Sequence, residues 1–275
     1  LVASIVIEPI LIAQDREAWD AWQRTALVHA KSVRFARRLA QAIAAVDAAL
    51  ATSERPCVMW SGGKDSTVLA HLVCVEMGWS VAVASEKDDL DYPGEREYVE
   101  KLARDWDVDL TILTPMVSPG QWIADHAAEL SADDDMHSRA AGLSKACFYE
   151  VVERWAVDRD LVFLGLRKDE SRGRMLNRVT HGLTYRKRDG QTICQPLGDW
   201  SGLDVMAYLA SRGIDQLPVY RCIGLMHRDE PWRLRKSWWI PGAATRWGGV
   251  VWLRRYYPSL FRQLCQWLPD TSRVG

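Results

Sequence analysis

The amino-acid sequence predicts an α/β domain: a doubly wound parallel sheet with an N-terminal helical extension and a basic, aromatic C-terminal appendage. Three observations lead there. The apolar run Cys57–Trp60 ends near Gly62-Gly63 and passes directly into an apolar-periodic helix reaching about Met77. Short apolar runs at Ser80–Ala84, Asp109–Leu113 and Leu161–Leu164 alternate with helix-forming stretches such as Glu95–Trp106. That spacing belongs to a parallel sheet with helices on both faces. The third observation is a shift in composition on either side of this region, which divides the chain into residues 1–50, 51–220 and 221–275.

Taken in order, Leu1–Leu11 is apolar but short and interrupted by Glu8 and Pro9. It lacks the charged start and small-residue cleavage site of a signal peptide, and no later stretch reaches a membrane-spanning length. A soluble, cytoplasmic protein with no membrane partner is expected. Residues 16–50 contain neither Pro nor Gly and place Trp19, Trp22, Ala26, Ala30 and Val33 at helical spacing. One long amphipathic helix is expected, packed on the sheet or building a homodimer. Arg37 and Arg38 on this element leave a nucleic-acid role open as a lesser option. The 275 residues are 48% hydrophobic and 26% charged, with a formal net charge of −1, ordinary for a soluble globular chain. The six cysteines form no C-x-x-C pair, which argues against a disulfide scaffold or an obvious zinc site and suits a reducing compartment.

The loop at Ser61–Ser66 carries the first chemistry. Gly62 and Gly63 put no side chain between backbone and ligand, so an anion can approach the amide groups closely. The following helix offers unsatisfied N–H groups and a positive dipole end. Lys64 adds a mobile charge, Ser61 and Ser66 add hydroxyls, and Asp65 is a candidate ligand for hydrated Mg²⁺. The loop is read as a phosphate binder. It is not G-x-x-x-x-G-K-[ST], because only a glycine pair precedes Lys64.

In doubly wound sheets ligands sit beyond the carboxyl ends of the strands, where strand order reverses. The acidic turn 86–92, with Asp88 as candidate ligand, is expected on that edge, although a solvated turn explains it equally well. So is the segment after Leu161–Leu164. There Gly165 leads into six charged residues within the eight positions Arg167–Arg174. Arg167, Arg172 and Arg174 are candidates to fork onto phosphate oxygens, with Asp169 and Glu170 orienting them or sharing a metal. Farther on, Arg221–Arg262 carries many cations against only Asp229 and Glu230. Arg233, Arg235, Lys236, Arg254 and Arg255 are candidates for nucleic-acid phosphates, and Trp238 and Trp239 for base stacking. Trp252, Tyr256 and Tyr257 are interleaved with them, and a tryptophan-rich cap packed on the core is the competing reading.

Residues 61–66 read S-G-G-x-D-S and resemble the signature of the PP-loop ATP pyrophosphatases. Asp91-Tyr92-Pro93-Gly94-Glu95, the stretch 165–174 and Pro196-Leu197-Gly198-Asp199-Trp200 with Asp204-Val205 follow in one order. Together, over roughly residues 55–225, they resemble the phosphoadenosine-phosphosulfate (PAPS) reductase-like branch of that group. The resemblance implies an adenine nucleotide alpha hydrolase-like fold, ATP and Mg²⁺ as cofactors, and cleavage between the α- and β-phosphates with adenylation of an acceptor. Ser61, Gly62, Gly63, Lys64, Asp65, Ser66, Asp88, Gly165, Asp169 and Glu170 would contact nucleotide. Lys64, Asp65, Arg167, Arg172 and Arg174 would carry the chemistry.

Two departures qualify it. The reductases' Glu-Cys-Gly-[Ile/Leu]-His motif is absent, and Cys265 lies in a helical apolar pattern instead, where a buried position is expected. The Gly-Cys-x-x-Cys pair of several relatives is replaced by Cys222-Ile223-Gly224-Leu225-Met226-His227, so an iron–sulfur cluster is not expected. Cys147 and Cys222 stay candidates for a sulfur relay, which needs an exposed, electropositive setting. The favoured expectation is an ATP pyrophosphatase that adenylates an acceptor oxygen for sulfur insertion into nucleic acid, DNA before RNA, as in DNA phosphorothioation. A donor such as a cysteine desulfurase would be its partner. A sulfonucleotide reductase and a non-catalytic nucleotide-binding protein are the alternatives.

Overall fold

The computed structural model describes residues 8–132, 146, 149–223, 234 and 247–267. Two helices open it, α1 (Ala13–His29) and α2 (Val33–Leu50), where the sequence suggested one. The break follows from Ser32, whose hydroxyl accepts the Phe35 N–H at 3.1 Å and caps a new helix. Beyond it, α2 lays Phe35, Ala42, Val46 and Ala49 in one buried stripe on the sheet.

The sheet alternates as expected: β1 (Pro56–Met59), α3 (Lys64–His71, extended by a π turn to Glu76), β2 (Ala82–Glu86), α4 (Glu95–Asp105) and β3 (Leu110–Leu113). Then come α5 (Pro119–Asp125), α6 (Ala127–Ala132), α7 (149–156), β4 (Leu161–Leu164) and α8 (Arg172–His181). The hairpin β5 (Thr184–Arg186) and β6 (Thr192–Cys194) was not anticipated. After it come α9 (Gly202–Ser211), α10 (Trp247–Tyr256) and α11 (Pro258–Trp267). Strand order is β3-β2-β1-β4-β6-β5, parallel except for β5. The order reverses between β1 and β4, paired through Val58 and Phe163, so a crevice opens where Ser61 and Gly165 emerge.

The central strands β1, β2 and β4 are buried on both faces, which is why they read as largely apolar runs rather than alternating ones, whereas the edge strands β3 and β5 expose side chains. Val58, Val83 and Phe163 face α2, α3, α4 and α9, whereas Cys57, Met59, Val162 and Ile193 face α7.

A separate apolar cluster joins parts of the chain that are remote in sequence. Trp252, Tyr256, Tyr257, Leu260 and Leu264 from α10 and α11 pack with Leu90, Tyr92, Leu217, Val219 and Tyr220, and against Trp19 and Trp22 of α1. The Trp252 indole N–H donates to the Cys222 carbonyl at 3.1 Å, and the Tyr256 hydroxyl donates to Asp15 Oδ1 at 2.8 Å. For Trp252, Tyr256 and Tyr257 the packed-cap reading therefore holds. Their rings are core, because only an apolar interior removes that much aromatic surface from water. No described helix is long and apolar enough to cross a membrane.

Trp252→Ala should lower unfolding stability by about 3–5 kcal/mol, the usual cost of emptying a large aromatic site. Urea unfolding monitored by circular dichroism measures it. A loss below about 1 kcal/mol would mean that these rings are not core.

Candidate functional site

Two loops meet at the reversal point, and their closeness sets the residue types allowed. A Cβ on Gly165 would lie 2.9 Å from the Ser66 backbone nitrogen, so β4 can end against the start of α3 only without a side chain. Gly62 has a φ of +83°, and a Cβ there would sit 2.9 Å from Val99 Cγ1. The glycines thus shape the loop as well as opening it to a ligand. Ser61 and Ser66 hydroxyls lie 2.9 Å apart, and the Ser66 hydroxyl donates to the Gly63 carbonyl at 3.0 Å.

Asp65 is the electrostatic hub. One carboxylate oxygen accepts from Lys64 Nζ at 2.8 Å and the other from Arg167 Nε, which ties the β1 loop to the β4 loop. Burial by itself would raise the Asp65 carboxyl. The Lys64 ammonium and Arg167 guanidinium outweigh burial and hold it at about 2. Burial likewise works against the Arg167 charge, yet Asp65, Asp169 and Glu170 keep it above its ordinary value. Asp169 accepts from Arg167 Nη1, and Glu170 accepts from the Arg167 backbone N–H at 3.0 Å and from Arg174 Nη1. These acids orient the arginines.

Two residues that the sequence did not single out complete the site. Lys87, buried at the end of β2, donates to the Ser61 carbonyl at 2.8 Å and to Glu95 Oε1 at 2.6 Å, holding the loop from below. A lysine directly after a core strand on this edge was a usable signal. Tyr220 accepts the Lys64 backbone N–H at 3.1 Å, and the Lys64 ammonium stands 5.4 Å from its ring centroid. It lies in a short 3₁₀ helix, Pro218–Arg221, far along the chain, and no local pattern marks it.

A cleft of about 1380 Å³ opens over this arrangement. Ser61, Gly63, Lys64, Asp65, Ser66, Gly165, Glu170 and Arg174 line it, and Tyr220 closes one side. Other expected residues stand elsewhere. Asp88 lines a separate cavity of about 380 Å³, and its carboxylate accepts the Leu90 N–H at 2.8 Å, so it shapes its own turn. Arg172 is exposed on the first turn of α8, away from the cleft lining. Arg254 and Arg255 lie on α10 over the Phe261 and Tyr256 rings. Cys147, Arg233, Arg235, Lys236, Trp238 and Trp239 fall outside the described residues.

Cys222 is buried among apolar groups, and burial pushes its thiol up, the reverse of the setting a relay needs. Burial also pushes Cys57 to about 12, and Cys74 and Cys194 to about 11. Cys265 is only half-buried on α11 rather than fully enclosed. Among the described residues no three His, Cys, Asp or Glu side chains are grouped to hold a metal. Each Asp65 carboxylate oxygen is already held by a cation, so the side chain as placed does not fit the role of a metal ligand that the sequence suggested.

Glycine-rich backbone, a helix start and paired cations at the reversal point of a parallel sheet define a phosphate-binding α/β domain of the nucleotide-binding class. Residues 55–226 match the phosphoadenosine phosphosulfate reductase domain, and the chain belongs to that family. Among solved structures it is similar to a phosphoadenylyl-sulfate (PAPS) reductase from Candida auris in a phosphate complex. The identity is 16%, covering 64% of this chain and 81% of that one, with a TM-score of 0.47. It is also similar to an FMN adenylyltransferase from Candida glabrata in complex with ATP, at 11% identity over 70% of this chain and 63% of that one, with a TM-score of 0.45. No curated protein matches the chain.

Because the native Asp65 carboxyl lies below its ordinary 3.8, the unfolded chain binds the extra proton, and stability rises with pH between those values. The contribution should be complete above 3.8 and lost as pH falls through about 2. Asp65→Asn should flatten the acid limb of the unfolding curve and cost about 3 kcal/mol at neutral pH, as Arg167 loses a buried partner. An unchanged acid limb would show that the hub does not act in this way.

Proposed function

We propose that the cleft binds ATP with its triphosphate on the 61–66 loop and splits it between the α- and β-phosphates. The observation that carries this reading is the convergence of Lys64 and Arg167 on the start of α3, beside the bare backbone of Gly62-Gly63. Membership of the PAPS reductase domain family supports a sulfur-linked adenine nucleotide.

An acceptor oxygen attacks the α-phosphorus. The new O–P bond forms as the bond to the bridging oxygen breaks, and pyrophosphate leaves. Gly63 and Lys64 border the phosphates and Arg174 neutralises charge that grows on the leaving group, while Arg167, buried against Asp65, fixes the loop from behind. Asp65 acts as a positioning residue that holds both cations in place. Mg²⁺ supplies further charge neutralisation when it arrives with the nucleotide.

The acceptor on this reading is an oxygen of nucleic acid, DNA before RNA, made into a leaving group so that a sulfur nucleophile can displace AMP. The sulfur comes from a separate donor of the cysteine desulfurase kind. Sulfonucleotide reduction fits less well. It needs a ready thiolate, and among the described residues burial raises the thiols of Cys57, Cys74, Cys194 and Cys222, which leaves the half-buried Cys265 as the described candidate.

Incubation with α-labelled ATP and single-stranded DNA should yield AMP and pyrophosphate. Lys64→Ala should reduce turnover by about 10²–10³, the usual loss for one electrostatic contact to a developing charge. ADP and orthophosphate as products would exclude this reaction, and binding without turnover would make the chain a nucleotide-binding protein only.

A further inference from the structure

A second cationic group lies outside the cleft lining, on the other side of the 165–174 segment. Asp199 Oδ1 accepts from Lys168 Nζ at 2.8 Å, and Asp199 Oδ2 accepts from Arg178 Nη2 at 2.6 Å. Arg38 Nη1 approaches the same Oδ2 at 3.9 Å. Three cations from α2, the β4 loop and α8 therefore share one carboxylate, which leaves the group with two positive charges in excess. Arg38 Nε and Arg178 Nε are buried and have no hydrogen-bond partner among the described residues. Half-buried like charges in this proportion favour a further anion.

The surroundings extend the charge into a stripe. Arg34, Arg37 and Arg38 fall on one face of α2, and Asp47 is the only acid in that helix. Arg34 and Arg37 are exposed. Helix α8 has no acid at all, and it exposes Met175, Leu176 and Val179 beside its arginines. A single phosphate would engage the hub alone. A stripe along two helices, with apolar side chains next to it, matches a chain of phosphates carrying flat apolar groups.

We propose that the α2–α8 face, centred on Asp199, binds the backbone of a single-stranded nucleic acid. This rests on the nucleic-acid acceptor of the proposed function and gives that acceptor a docking surface. Asp199 stands where a phosphate would otherwise sit, and it keeps the cations gathered when no strand is bound. The same 165–174 segment carries Glu170 and Arg174 to the cleft lining and Lys168 into the hub, so a strand on this face lies beside the adenylation site.

The test is fluorescence anisotropy of a labelled single-stranded oligodeoxynucleotide across a salt series, without nucleotide. The wild-type affinity should fall steeply with salt. Arg34→Gln/Arg37→Gln, at exposed positions that leave the core intact, should reduce the slope of log affinity against log salt by about 1.4, at roughly 0.7 per lost contact to a single strand. Asp199→Asn removes the competing carboxylate and should tighten binding several-fold, whereas a purely structural ion-pair hub would give no gain. An unchanged slope in the double variant, no gain in Asp199→Asn, or a strand displaced by an equal concentration of inorganic phosphate would overturn the proposal. Since no ATP is present, loss of this surface leaves the cleavage reaction standing. Absence of AMP in the cleavage assay likewise leaves this binding result standing.

Discussion

The shared carboxylate of Asp65 is the constraint on which the site depends. It sits at the first turn of α3 and is reached by Arg167 from the end of β4, so it joins the two loops that flank the reversal of strand order. A buried arginine with no acid would be costly, and a buried aspartate with no cation equally so. Each makes the other tolerable only when the strands are in register and Gly165 lets the backbones touch. Fold and site are therefore one condition.

Much of this was legible in the residues, for a physical reason. A parallel strand buried on both sides must be an unbroken apolar run, and a loop that bends at positive φ must be glycine. β1, β2 and β4 and the glycine loop after β1 follow from those two rules. The hairpin β5–β6 escaped them, because Thr184–Arg186 is a three-residue edge strand with two exposed side chains. The division of 16–50 into two helices turns on one serine hydroxyl, a weak signal inside an otherwise helical stretch.

The site was readable where its parts are local and obscure where they are remote. Ser61–Ser66 and Arg167–Arg174 are contiguous, so composition exposed them. Tyr220 meets Lys64 across 156 positions, and nothing around Tyr220 announces that contact. The aromatic content of 221–262 shows the reverse difficulty. Tryptophan and tyrosine among arginines have the same composition on a nucleic-acid surface as in a capped core, and burial alone separates the two for Trp252, Tyr256 and Tyr257.

The hydrogen bond from Tyr256 to Asp15 spans 241 positions, and the cluster around it draws on both flanks of the sheet domain. Contacts so remote in sequence are among the last that a growing polypeptide can make. Until α10 and α11 have left the ribosome, Trp19 and Trp22 lack part of their cover and wait as a sticky surface. Removing α1 or the α10–α11 pair would open the same joint.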